Sequence, residues 1–141
     1  MSSSDFTLTS TPPSGRQREL WLQHAAGLIV FEDVRGYAIE NLDLGLDETT
    51  RAIAIKAIDD AVYGLMMVFD GVSGSLANAE HAIELRTTVR LTRRQGIEAE
   101  VVEQLELRDG DGMCMGFHGW REGDFGRNAV TKRPPDRRER S

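Results

Sequence analysis

The side chains best equipped for chemistry crowd into one short stretch, residues 110–120, GDGMCMGFHGW. It holds the only cysteine (Cys114), one of three histidines (His118) and one of two tryptophans (Trp120). A thiol and an imidazole can serve as nucleophile and acid/base, with Asp109, Asp111, Glu122 or Asp124 close in sequence. Read as a strand, the stretch puts Cys114 and His118 about 13 Å apart, at roughly 3.3 Å per residue. That is too far for a Cys–His dyad unless the chain bends at Gly116. Two other readings stand beside this one. In the structural reading, Gly116 lets Trp120 or a neighbouring backbone lie flat, and Cys114 packs as a small hydrophobe. In the interface reading, Trp120, His118 and Cys114, with Asp111, Glu122 and Asp124, form a surface for a protein partner or a second copy of the chain.

Other chemistry finds less support. His24, His81 and His118 are far apart, and no pair has ligand spacing such as His-x-x-x-His. Residues 108–112, RDGDG, resemble the front of a calcium loop, but the later acidic positions and the closing glutamate are missing. There is no phosphate-binding glycine loop followed by Lys-Ser/Thr, no Gly-x-Ser-x-Gly elbow and no dinucleotide fingerprint. No metal and no cofactor is therefore expected. The pair Asp59-Asp60 could be a carboxylate site, although a solvated helix face is the commoner role. Residues 70–76, DGVSGSL, read as a loop.

The elements that must position these residues follow from periodicity. Leu20, Trp21, His24, Leu28, Ile29 and Glu32 recur at three and four, which predicts a helix from Arg16. It bends or breaks around Arg35-Gly36 and continues to about Leu42. His24 lies on its apolar stripe, as a core or boundary histidine. Asp47 is a good N-cap, and Glu48 suits the helix dipole. Ile55, Ile58, Val62, Leu65, Met66 and Phe69 then mark a second helix, from about Glu48 to Asp70. Ile83, Leu85, Thr87, Val89 and Leu91 alternate with charged or polar residues, predicting a strand with one face in water. A turn at TRRQGIE leads to a second strand, Ile97–Leu107, where Glu103 breaks the phase and predicts a bulge near Val101-Val102. Outward arginines of one strand should pair with outward glutamates of the next. RDGDG reads as a hairpin turn, and the cysteine stretch becomes a third strand with Met113, Met115 and Phe117 on the core side. The expected fold is α+β: two long N-terminal helices packed on one face of a three-stranded antiparallel meander.

The 141 residues allow one domain with tails. Residues 1–15 read as a disordered lead without the features of a secretory signal. Residues 16–126 read as the domain, with Phe125 as a plug over it, and residues 127–141 as a basic disordered tail. That tail carries six Lys/Arg and two acids, net +4, against 11 bases and 21 acids, net −10, in the rest. Such an acidic body argues against nucleic acid and anionic membrane, although the tail admits a nucleic-acid arm as an alternative. No run is long enough to span a membrane. A lone cysteine forbids an intrachain disulfide and points to a reducing cytoplasm.

Residues 59–74, DDAVYGLMMVFDGVSG, combined with residues 110–126, GDGMCMGFHGWREGDFG, resemble a group of small bacterial proteins of uncharacterised activity, over about residues 47–126. The resemblance brings no catalytic residue with it. In size and charge the chain is also similar in type to immunity proteins of bacterial toxin systems. The leading expectation is thus a cytoplasmic, non-catalytic protein-binding module, most concretely an immunity-type inhibitor. An acidic face of Asp43, Asp47, Glu48, Asp59, Asp60, Glu98, Glu100, Glu122 and Asp124 would steer in a basic toxin, and Trp120 with His118 would be the buried anchor. The alternatives are a small-ligand protein or enzyme using Cys114, His118 and Asp111, and a homo-oligomer joined through its sheet face.

Overall fold

The computed structural model describes residues 2–96, 98–110, 112–122, 124 and 129–132. The N-terminal part is helix-rich, and antiparallel strands follow. Helix α1 spans Arg16–Val30. It passes without a break into a π-helical turn, Phe31–Gly36, and a last helical turn α2, Tyr37–Glu40. The expected bend near Arg35-Gly36 is therefore a local widening of the helix, the kind of π segment that recurs at functional sites. Widening brings Phe31, Glu32, Arg35 and Gly36 all to the buried side.

Helix α3, Glu48–Phe69, is the one unbroken long helix. Asp47 caps it: its carboxylate accepts a 2.7 Å bond from the Thr50 amide. That bond holds the Asp47 carboxyl below its ordinary range. Its apolar stripe is used unevenly, for only Asp59, Val62 and Met66 are buried.

The three-stranded meander is not what forms. The described residues make two separate two-stranded antiparallel sheets. Strands β1, Ser75–Ala77, and β2, Ala82–Glu84, form a short hairpin. Strands β3, Thr88–Gln95, and β4, Glu98–Glu106, form a longer one. The expected first strand is thus divided between the two sheets, with 85–87 outside both. Gly96 turns the second hairpin at φ +57°, a conformation that suits glycine. The register shifts between Leu91 and Thr92, so Val102 has no partner opposite. This is the bulge that the phase break at Glu103 implies. Arg93 and Glu100 pair across the strands at 3.1 Å.

The third strand is replaced by helical turns: Leu107–Asp109, Met113–Gly116, and the short helix α4, Phe117–Arg121. The physical reason lies in where the backbone amides go. Gly112 N–H donates to Gln23 Oε1 at 3.0 Å, and Met113 N–H to Asp70 Oδ1 at 2.8 Å. Side chains of α1 and the α3 terminus thus take donors that a strand would have given to a ladder. The buried residues then fall at Met113, Phe117 and Trp120, a spacing of four and three, which is that of a helix face. RDGDG accordingly makes no hairpin turn.

The main core joins α1, the π turn, α3 and α4 through Ala26, Phe31, Val62, Met66, Leu107, Met113, Phe117 and Trp120. A smaller cluster seats Trp21, Leu22 and Val130 against Val89 and Leu91 of β3. Residues of the N-terminal lead make defined contacts. Ser3 bonds Asp33 through both its amide and hydroxyl, and Leu8 pairs with Thr131 in an antiparallel bridge.

Candidate functional site

The π turn builds a feature that periodicity did not point to. Arg35 and Asp59 form an ion pair with both side chains about 95% buried. The other Asp59 oxygen lies 3.1 Å from Arg121 Nε on α4, a side chain that reaches solvent. Fully buried Glu32 sits one helical turn before Arg35. The guanidinium of Arg35 stacks over Phe31, 4.9 Å from the ring centroid, and that of Arg121 lies 5.9 Å from Phe117. One carboxylate thus bridges two guanidiniums and ties three elements together. Asp59 therefore has no place on a solvated acidic face: its charge is consumed internally. The usable sequence signal was its position. Asp59 is three residues before Val62 and seven before Met66, on the buried stripe, where an acid needs a cationic partner.

Trp120 is 4% exposed and belongs to the core. Its indole lies across Gly27 of α1 and Gly116, where an added Cβ would collide with the ring. It meets Phe31 and His24 edge-on, at centroid distances of 6.0 and 6.1 Å. This is the close approach that Gly116 suggested, with Gly27 as the second half of the slot. His118 is on the outside of α4, near Tyr63 at 5.4 Å and Phe117 at 5.8 Å. Glu122 and Asp124 are exposed beside it, the chain curling back through an Asp124 amide bond of 2.8 Å to the Gly119 carbonyl. The structure therefore brings His118, Glu122 and Asp124 together at the surface and takes Trp120 inside. Asp111 and Phe125 lie outside the described residues, as does the Cys114 side chain. The strand separation of about 13 Å no longer applies to Cys114 and His118. Their backbone is helical, so residues four apart are one turn apart.

His24 is half-buried, and burial pushes its imidazole below the ordinary 6.5. With Leu28, Trp120, Ala129, Val130 and Thr131 it lines a cavity of about 10 Å³, room for one water at most. No group of three or more His, Cys, Asp or Glu side chains among the described residues is arranged to hold a metal ion.

The surface shows the reverse of the charged core. Leu76 and Ile83 are direct partners across the β1–β2 hairpin, and they are 73% and 69% exposed. Leu85 and Val72, close to them in the chain, are exposed as well. The hairpin is held at its base by polar bonds. Glu84 pairs with Arg86 at 2.6 Å and Arg108 at 3.0 Å, and Arg86 reaches Asp109 at 3.4 Å. The Arg86 bond keeps the Glu84 carboxyl below its ordinary range. Sequence reading assigned Ile83 and Leu85 to a buried face, because alternation identifies two faces but not which one finds cover.

No protein-family model, no curated protein and no solved structure matches this chain. No helix among the described residues is long and apolar enough to cross a membrane.

Proposed function

We propose that this chain is a non-catalytic protein-binding module that docks its partner through the β1–β2 hairpin, in the manner of an immunity-type inhibitor. The observation that carries the reading is the Leu76–Ile83 pair, apolar and exposed on a two-stranded hairpin. Two strands alone are marginal in water, and an apolar face on them needs cover. The partner is a basic protein. A chain of net charge −6 attracts one, and Glu80, Glu100, Glu122 and Asp124 are exposed to meet its charge. Trp120 contributes by fixing α4 and takes no part in docking.

The test is capture from a lysate of the native host, using tagged wild type and a Leu76→Asp/Ile83→Asp variant at low and moderate salt. One basic protein should be held near stoichiometrically by wild type, released as salt rises, and lost with the variant while its circular dichroism is unchanged. Capture untouched by the double substitution overturns the proposal.

The helical spacing of Cys114 and His118 favours a second reading, a small-ligand protein or enzyme working on that side of α4. There a thiol reagent should label Cys114 faster in wild type than in a His118→Asn variant. Equal labelling rates in the two remove this reading.

A further inference from the structure

We propose that the exposed face of α3 from Ala52 to Gly64 is a homodimer interface, on which a second copy of this chain packs antiparallel about a two-fold axis. The proposal concerns a surface apart from the hairpin and stands independently of the partner argued above.

Helix α3 has 22 residues, about 33 Å at 1.5 Å per residue. Its buried positions begin only at Asp59. Before that, Thr49, Ala52, Ile53, Lys56 and Ala57 all face solvent, and Asp60 and Ala61 continue the exposed side. Ile53 is 67% exposed. One turn past Asp60, a Cβ added to Gly64 would meet nothing within 4 Å. These positions follow one another at three and four residues, so they form one stripe along the helix. A shallow, mainly apolar groove lies between Glu48, Thr49, Ala52, Ile53 and Lys56.

The charges on the stripe select a second copy as the occupant. Lys56 and Asp60 are opposite charges one turn apart, both largely exposed and 2.7 Å from each other in the single chain. A two-fold axis crossing the helix midway between them sets Lys56 of each copy against Asp60 of the other, making two equivalent ion pairs from one patch. The same register lays Ala52 of each copy over Gly64 of the other. With so little side chain between them, the helix axes can approach to about 8 Å, the close end of helix packing. A foreign partner would need the mirrored charge spacing; a second copy has it automatically.

The experiment is sedimentation equilibrium of the full chain from low micromolar to near-millimolar concentration. Wild type should move from monomer to dimer, and no further, within that range, as suits an interface below standard size. Lys56→Asp alone and Asp60→Lys alone each set like charges opposite one another and should weaken dimerisation at least about tenfold. The double variant Lys56→Asp/Asp60→Lys recreates both pairs and should return to within about threefold of wild type. The Leu76→Asp/Ile83→Asp variant should dimerise as wild type does, which separates this interface from the hairpin. Both exposed α3 positions tolerate substitution without unfolding, which helical circular dichroism checks. A monomer throughout, or an oligomer that the double variant fails to restore, overturns the proposal.

Discussion

Ile53 and Asp59 lie on the same helix, about 9 Å apart along its axis, in opposite surroundings. The isoleucine is 67% exposed and the aspartate 3% exposed, the inverse of what their chemistry prefers in isolation. The difference is one of partners. Around Asp59 the π turn, α4 and the middle of α3 meet, and two arginines and an aromatic cluster complete the environment. Ile53, like Leu76 and Ile83, is left largely uncovered by the described residues. The molecule thus has a closed half, in which even charge is accommodated, and an open half, in which apolar surface is left uncovered. Exposed aliphatic residues in a fold able to bury arginine mark the surface that the proposed partner would cover.

The largest expected effect tests the closed half. Trp120→Ala should cost about 3–5 kcal/mol, because it empties the slot between Gly27 and Gly116 and removes ring contacts to Phe31 and His24. Urea unfolding would measure it, and a loss under about 1 kcal/mol would mean that Trp120 is not part of the core. Next comes Asp59→Asn, at about 3 kcal/mol, since it leaves the buried Arg35 without its counter-charge. Arg121→Ala removes a solvent-reaching arm of the same cluster and should cost no more than about 1 kcal/mol. Equal losses at the two positions would break the distinction between a buried bridge and its exposed outer link.

A smaller effect should come from pH. Burial lowers the His24 pKa in the folded chain, so the unfolded chain takes up the proton first as pH falls. Stability contributed by neutral His24 is complete above about 6.5 and is lost as pH drops through the lower folded value. Thermal melts of wild type should therefore fall through this window, and those of His24→Gln should fall less. Parallel curves for the two proteins would place the pH dependence elsewhere.

What the sequence made legible was whatever a local period or cap determines. The cap at Asp47, the start of α3 at Glu48, the β3–β4 hairpin and its bulge are all set by neighbours close in the chain. The fate of residues 110–120 is not. Met113, Met115 and Phe117 fit a strand's alternation, and Met113, Phe117 and Trp120 fit a helix equally well. The choice was made by Gln23 and Asp70, far away in sequence, which accept the amides of Gly112 and Met113. The charged cluster was hidden for the same reason. Glu32 falls on the periodic stripe of the first helix, but Arg35 looks like a solvent-facing residue near a bend until the π turn brings it inward. Gly116 and the helix-interior Gly27 are each visible in the sequence as places of close packing; what it does not show is that the two, 89 residues apart, flank one indole.

The smallest expected effect is the sharpest test of the open half. Leu76→Ser and Ile83→Ser remove aliphatic side chains, which in a core would cost several kcal/mol together. Here both are mostly exposed on the face of an outlying hairpin whose base is held by Glu84, Arg86 and Arg108. Each substitution should change the unfolding free energy by less than about 0.5 kcal/mol. The double variant should melt within a few degrees of wild type while the hairpin's polar base stays intact. Glu84→Gln should act in the opposite way, loosening the hairpin without altering its apolar face; amide exchange at residues 75–84 would report it. A loss of more than about 2 kcal/mol from the two serines would show that the hairpin is packed in the isolated chain. The exposed aliphatics would then belong to the closed half, and the division of the molecule into two halves would fail. If the serines leave folding untouched and abolish partner capture, the uncovered face is maintained for docking, since it contributes nothing to the stability of the chain that carries it.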